Sequence, residues 1–256
     1  MRLAVTCLTA LLLSTACASL DRSAGDPEFA SKADENLHLG NEALENRDFL
    51  NAEKYFEFVK TKFPYLEASK EAELKMGDVS FEQEQWPEAR ERYESFVKLH
   101  PTHPKVDYAA YRAALTHFKD MPSNFFLLPP SEEKDQTEVQ SALRSMTDFL
   151  RQYPDSQYVK DAKLAEAEAK ARLAQHEMYV ATFYRKREHW RAVAQRLEGL
   201  LNRYPGTPYE EEALFSLHEA YLKLKEPDHA QETLRKVLQR LPNTPAAQRA
   251  QRMLGS

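Results

Sequence analysis

The sequence predicts an all-α fold, a right-handed superhelical solenoid of about five antiparallel helix pairs. Three observations carry that prediction. The 256 residues include ten Val, no Ile and six Gly, against plentiful Ala, Leu, Glu, Lys, Arg and Gln. Strands need β-branched residues and hairpins need Gly in their turns, so the materials for β structure are scarce. A residue followed by proline recurs as Phe63-Pro64, His100-Pro101, Tyr153-Pro154, Tyr204-Pro205 and Leu241-Pro242. The residues before these prolines recur too: Gly40, Ala52, Phe56 and Pro64 are spaced 12, 4 and 8 apart, and Gly77, Ala89, Tyr93 and Pro101 repeat those spacings.

The chain opens on Met1-Arg2 and an uncharged stretch from Leu3 to Leu13, which is long enough for a secretory signal and too short to span a bilayer. It ends in Leu13-Ser14-Thr15-Ala16-Cys17. Small residues before a cysteine resemble the bacterial lipobox, with Ser14 where Leu is usual. Residues 1–16 are therefore expected to be a lipoprotein signal peptide, with a covalent lipid (palmitate) on Cys17. Ala18 stands where Asp would mark inner-membrane retention, so the resemblance points to the outer membrane. The alternative is an ordinary secreted protein cut after Ala16. Residues 17–31 read as a flexible tether. Cys7 and Cys17 are the two cysteines, so the body holds neither an internal disulfide nor a cysteine-rich metal site.

Residues 32–118 form the N-terminal repeats. Small residues (Gly40, Gly77, Ala52, Ala89, Ala230) belong where two helices touch, and large ones (Phe56, Tyr93, Leu234) fill the gap towards the next repeat. Proline ends each helix because it cannot continue one. Ala230, Leu234 and Pro242, with Tyr221 on the helix before them, repeat the second half of the pattern. This is the tetratricopeptide skeleton, two antiparallel helices per unit, whose units bury one core by stacking. An insertion at residues 119–131 separates the helices of repeat 3 and contains Phe125-Phe126-Leu127-Leu128-Pro129-Pro130. That apolar run reads as a segment folded back on neighbouring helices or as a partner-binding loop. Residues 132–256 form the C-terminal repeats. Within them Ser156 to Arg187 leaves room for a further helix before the next pair, with Ser156 as its cap. Thr207-Pro208-Tyr209-Glu210 reads as a capping box with Thr207 at the N-cap, and Thr244-Pro245 repeats the cap and proline.

Chemistry is scarce. The net charge is −5 with acids and bases interspersed, and no basic stripe offers a nucleic acid the counterions it needs. His100 and His103 sit in a proline turn without a third ligand beside them. His176-Glu177 and Glu188-His189 are single pairs on helical positions that look exposed, whereas zinc wants three or four convergent ligands. Glu210-Glu211-Glu212 reads as a solvated first turn favoured by the helix dipole. No nucleophile elbow, phosphate loop or dinucleotide fingerprint occurs. The expectation is a protein with no catalytic residues, no metal and no cofactor beyond the lipid on Cys17.

One stretch is more specific than a generic repeat. Phe96-Val97-Lys98-Leu99-His100-Pro101-Thr102-His103-Pro104-Lys105-Val106-Asp107-Tyr108 closely resembles the BamD family, the lipoproteins of the β-barrel assembly machinery. Phe125-Phe126 with Ser131-Glu132 is similar, as are Tyr153-Pro154-Asp155-Ser156-Gln157-Tyr158 with Asp161-Ala162, and Glu177 through Gly199. The likeness covers about residues 33–242. It departs at Asp78-Val79-Ser80-Phe81, where one aromatic stands for several, and after Phe125-Phe126, where the segment is about a helical turn longer.

The resemblance implies a non-catalytic scaffold at the periplasmic face of the outer membrane of a Gram-negative bacterium. Its N-terminal repeats would receive unfolded outer-membrane β-barrel proteins, with Tyr65, Phe81, Tyr108 and Tyr111 as groove candidates. Its C-terminal repeats would dock on the POTRA domains of a BamA-type barrel subunit through Tyr184, Arg187, Trp190, Arg196 and Glu198. Other Bam lipoproteins would join the complex. The alternative is a repeat lipoprotein serving pilus secretin assembly or envelope division.

Overall fold

The computed structural model describes residues 27–122 and 130–255. The signal peptide, Cys17 and the Phe125-Phe126-Leu127-Leu128 run lie outside the described residues. Among the described residues the regular elements are helices: α1 (Ala33–Glu45), α2 (Phe49–Lys62), α3 (Glu67–Glu82), α4 (Trp86–Leu99), α5 (Val106–Lys119), α6 (Thr137–Gln152), α7 (Val159–Arg185), α8 (Trp190–Arg203), α9 (Glu210–Lys223), α10 (Pro227–Arg240) and α11 (Pro245–Leu254), with a short 3₁₀ turn at Ser131–Glu133. Each α-helix packs on the one before and the one after it. The expected fold class holds: five helix pairs stack in chain order, and α11 covers the last. In addition α1 touches α3 and α5 touches α7, so the first helices of the repeats lie on the inner side of the array.

The glycines of the repeat are close-approach positions. A Cβ on Gly40 would fall 2.6 Å from the ring of Phe56, and one on Gly77 would fall 2.8 Å from the ring of Tyr93. The large residue thus presses first on its own repeat's first helix, where the sequence pattern placed it facing the next repeat. It does both: Phe56 also shares a core cluster with Ala72, Met76 and Val79 of α3, as Tyr93 does with Ala109 and Ala113 of α5.

Four of the five pairs turn in one way. Arg47, Glu84, Glu188 and Lys225 adopt φ between 58° and 61°. The next amide then reaches back into the helix: Asp48 N–H donates to Ala43 O, Gln85 to Ser80 O, His189 to Tyr184 O and Glu226 to Tyr221 O, at 2.8–3.1 Å. This is a Schellman closure made with residues other than glycine. In repeat 3 the insertion takes its place, and α7 holds both flanks of that insertion. Arg172 donates to Pro122 O at 3.0 Å, His176 Nδ1 meets Glu132 O at 2.7 Å and Tyr179 donates to Glu133 at 2.7 Å.

Three local expectations need correction. Ser156 to Arg187 yields one 27-residue helix, α7, which is itself the first helix of repeat 4. That helix starts at Val159 with Tyr158 at its N-cap, and Ser156 stays in the turn before it, its hydroxyl donating to the Asp107 carboxylate at 2.7 Å and accepting from Tyr158 N–H at 3.2 Å. Likewise α9 starts at Glu210. Gly206 takes φ +74°, the Thr207 hydroxyl donates to Tyr204 O, and Glu210 accepts from Gly206 N–H. The Thr244 cap forms as expected, accepting from Ala247 N–H at 3.2 Å.

Candidate functional site

Two regions gather the residues that the sequence singled out. The first lies on the inner side of repeats 2 to 4. Asp78 of α3 is 5 % exposed, and its Oδ1 accepts from the phenols of Tyr93 and Tyr108, each at 2.6 Å. Lys75 adds a salt bridge at 3.0 Å. Arg112 of α5 donates to the Tyr93 oxygen at 3.1 Å and lays its guanidinium 3.6 Å above the Phe81 ring. Burial first, and the Asp78 charge second, push the Tyr93 and Tyr108 phenols far above their usual range. Beside this network Tyr111 stacks on Tyr158 at 4.9 Å with 5° between the rings, and Tyr158 also meets Tyr108 at 5.7 Å. These three tyrosines are half-buried and form one aromatic surface across repeats 3 and 4.

The four groove candidates therefore separate. Tyr108 and Tyr111 offer ring surface on the inner side. Phe81 is 8 % exposed, covered by Arg112 and by Trp86 at 5.0 Å, and so presents a peptide almost nothing. Tyr65 is 98 % exposed in the α2–α3 turn. Reading by residue type missed Asp78, Tyr93, Arg112 and Tyr158. The missing signal was the acid in Asp78-Val79-Ser80-Phe81, standing on a helix whose neighbours are apolar or small.

The second region surrounds α8. Glu177 of α7, expected to be exposed, is 7 % exposed and accepts from Arg196 at 3.3 Å and from Arg203 at 2.6 Å. One carboxylate holds two guanidiniums, so the triad carries one net positive charge at a half-exposed edge. Gly199 makes room for it, since a Cβ there would lie 3.0 Å from the Arg203 guanidinium. Glu198 faces the other way and accepts a short hydrogen bond from Tyr221 of α9. Tyr184 and Trp190 are half-buried against the core of repeats 4 and 5, with Tyr184 6.3 Å from His189. Arg187 is exposed beside them and stacks 3.5 Å over Phe183. The five docking candidates thus form two groups: Tyr184, Arg187 and Trp190 at the α7–α8 turn, and Arg196 and Glu198 on opposite flanks of α8.

Glu210 is a further correction. It is 7 % exposed and pairs with Arg240 at 3.0 Å, tying α9 to α10 instead of facing solvent. Next to it, α7, α9 and α11 enclose a groove lined by Arg185, Glu211, Phe215, Leu222 and Arg249. His100 pairs with Glu73 at 2.8 Å. Among the described residues no group of three or more His, Cys, Asp or Glu is placed to hold a metal ion.

From the residues before α1 into α10 the chain matches the model of a protein family, YfiO, described as outer membrane lipoprotein, over residues 30–238. A relative from Neisseria gonorrhoeae named "Outer membrane protein assembly factor BamD" is 28 % identical over 79 % of this chain and 76 % of its own length. One of the same name from Pasteurella multocida is 29 % identical over 88 % of this chain and 85 % of its own. Among solved structures, the TPR2AB domain of yeast Sti1 in its pHSP90 complex is similar at 14 % identity with a TM-score of 0.42, over 84 % of this chain and 80 % of that one.

Proposed function

This chain belongs to the YfiO family of outer membrane lipoproteins, and on that premise we propose that it is a scaffold for assembling outer-membrane β-barrel proteins, with no catalytic chemistry of its own. The names of its relatives support the assembly role. The carrying observation is the tyrosine surface of Tyr108, Tyr111 and Tyr158 on the inner side of the array. Rigid aromatic rings supply contact area at low entropic cost, which suits an extended, partly apolar chain.

The finer reading has three parts. A lipid on Cys17 tethers the protein to the periplasmic face of the outer membrane, and none of the described helices is long and apolar enough to cross it. Unfolded outer-membrane proteins lie along Tyr108 and Tyr111, while the edge at Arg187, Trp190 and Arg196 docks on the POTRA domains of a BamA-type barrel subunit. Other Bam lipoproteins join the complex, and no cofactor besides the lipid is used.

Affinity capture from detergent-solubilised membranes, with partners identified by mass spectrometry, tests this function. A POTRA-bearing barrel at near-stoichiometric yield supports it. A secretin or a division complex in its place would overturn the assignment and leave the fold untouched.

A further inference from the structure

The chain enters its first helix across the outer face of α2, and it does not hang free there. Asn36 is fully buried and exchanges two hydrogen bonds with Ala30: Ala30 N–H donates to Oδ1 at 2.9 Å, and Nδ2 donates to Ala30 O at 2.8 Å. Tyr55 donates to Glu28 O at 3.4 Å. Between these two ties Phe29 lies flat on Phe58, with centroids 4.2 Å apart and planes at 7°, and meets the edge of Tyr55 at 5.7 Å. The rings adjoin Leu50, 61 % exposed at the start of α2, and Lys54 and Lys62 flank the patch. Two acids line the same face: Glu53 pairs with Arg92 at 2.8 Å and Glu57 with Lys60 at 3.8 Å.

We propose that this face of α2, with Phe29, Leu50 and Phe58 at its centre, rests on the phospholipid surface of the membrane that anchors the protein. The proposal rests on the reading of Cys17 as the lipidated residue. Twelve residue steps separate Cys17 from Phe29, a reach of about 40 Å at ~3.5 Å per residue. Phe29 is the last part of the chain before the fold, so its patch is the first surface of the folded body that the tether brings to the lipid. At that effective concentration even weak contacts are populated. The chemistry suits a headgroup boundary. Aromatic and leucyl side chains enter the interface, while lysines keep their ammonium groups among the phosphates.

The test uses the mature, lipidated protein. Cys7 leaves with the signal peptide and acylation blocks Cys17, so Leu50→Cys introduces one free thiol for an environment-sensitive fluorophore. Leu164→Cys on α7, 64 % exposed, is the comparison. Both are reconstituted in phosphatidylethanolamine–phosphatidylglycerol vesicles carrying a headgroup-level nitroxide lipid, after circular dichroism has established equal helix content. The proposal expects quenching several-fold stronger at position 50 than at position 164. Equal quenching on an acylated protein overturns the membrane contact and leaves the anchor intact. Shielding of position 50 from aqueous iodide only when other membrane proteins are added overturns it in favour of a protein partner. Intact-mass measurement showing an unmodified Cys17 would overturn the anchor and this proposal with it.

Discussion

The phenol of Tyr93 donates to Oδ1 of Asp78 at 2.6 Å and ties α4 to α3 inside repeat 2. Tyr108 of α5 donates to the same oxygen at 2.6 Å, so one buried carboxylate oxygen joins two repeats. Burial and the Asp78 charge raise both phenols well above their ordinary pKa of 10.0. In the folded protein they stay protonated, whereas in the unfolded chain they ionise near the ordinary value. Above that pH the unfolded state binds fewer protons, so stability is full below about pH 10 and falls as pH rises. Each phenol contributes a decline of about 1.4 kcal/mol per pH unit. Denaturant titrations on the alkaline side should show the decline, and Tyr93→Phe with Tyr108→Phe should flatten it. An unchanged slope in the double variant would contradict the network's role.

The contact between Gly40 and Phe56 sets a second expectation. Alanine favours a helix over glycine by about 1 kcal/mol. At this position the added Cβ would fall 2.6 Å from a ring that is wholly buried and cannot step aside. Overpacking costs typically about 1–3 kcal/mol, so the clash wins. Gly40→Ala should lower the stability to urea by up to about 2 kcal/mol net. A stabilised variant would mean that the ring has somewhere to go.

Much of this fold was legible because the repeat writes the same constraint several times. Gly40 with Phe56 and Gly77 with Tyr93 give one spacing twice, and the proline after each second helix marks where it stops. What escaped depended on partners distant in sequence. Nothing around Glu177 announces Arg196 and Arg203, which lie 19 and 26 positions on. The bond from Ser156 to Asp107, 49 positions earlier, is equally invisible to a local reading. Of the site, Tyr108 and Tyr111 are exposed enough to serve, while Phe81 was misjudged because its cover comes from Arg112 on the next repeat.

The repeated turn offers a stabilising change. Lys225 holds φ at 61°, is exposed, and closes α9 through its neighbour's amide. A side chain in left-handed geometry costs roughly 1 kcal/mol relative to glycine, part of which glycine returns as unfolded-state entropy. Lys225→Gly should gain about 0.5 kcal/mol in thermal or urea unfolding. A loss would show that Lys225 makes a favourable contact that outweighs its backbone strain.

Glu177→Ala separates fold from docking. Arg196 and Arg203 are half-exposed and hydrate readily, so stability should fall by only about 1 kcal/mol. Without its carboxylate Arg196 loses its fixed pose, and binding to the barrel subunit should weaken by more than the stability loss accounts for. Wild-type affinity in a folded Glu177→Ala protein would place the docking edge elsewhere.

Calorimetric titration of the full-length protein with the POTRA domains of a BamA-type subunit is the decisive test of the proposed docking. Saturable binding is expected, weakened about tenfold (~1.4 kcal/mol) by Arg196→Ala, while helix content and melting temperature stay at wild-type values. No binding by the folded wild-type protein would contradict the docking itself, and equal binding by Arg196→Ala would contradict the place assigned to it on α8.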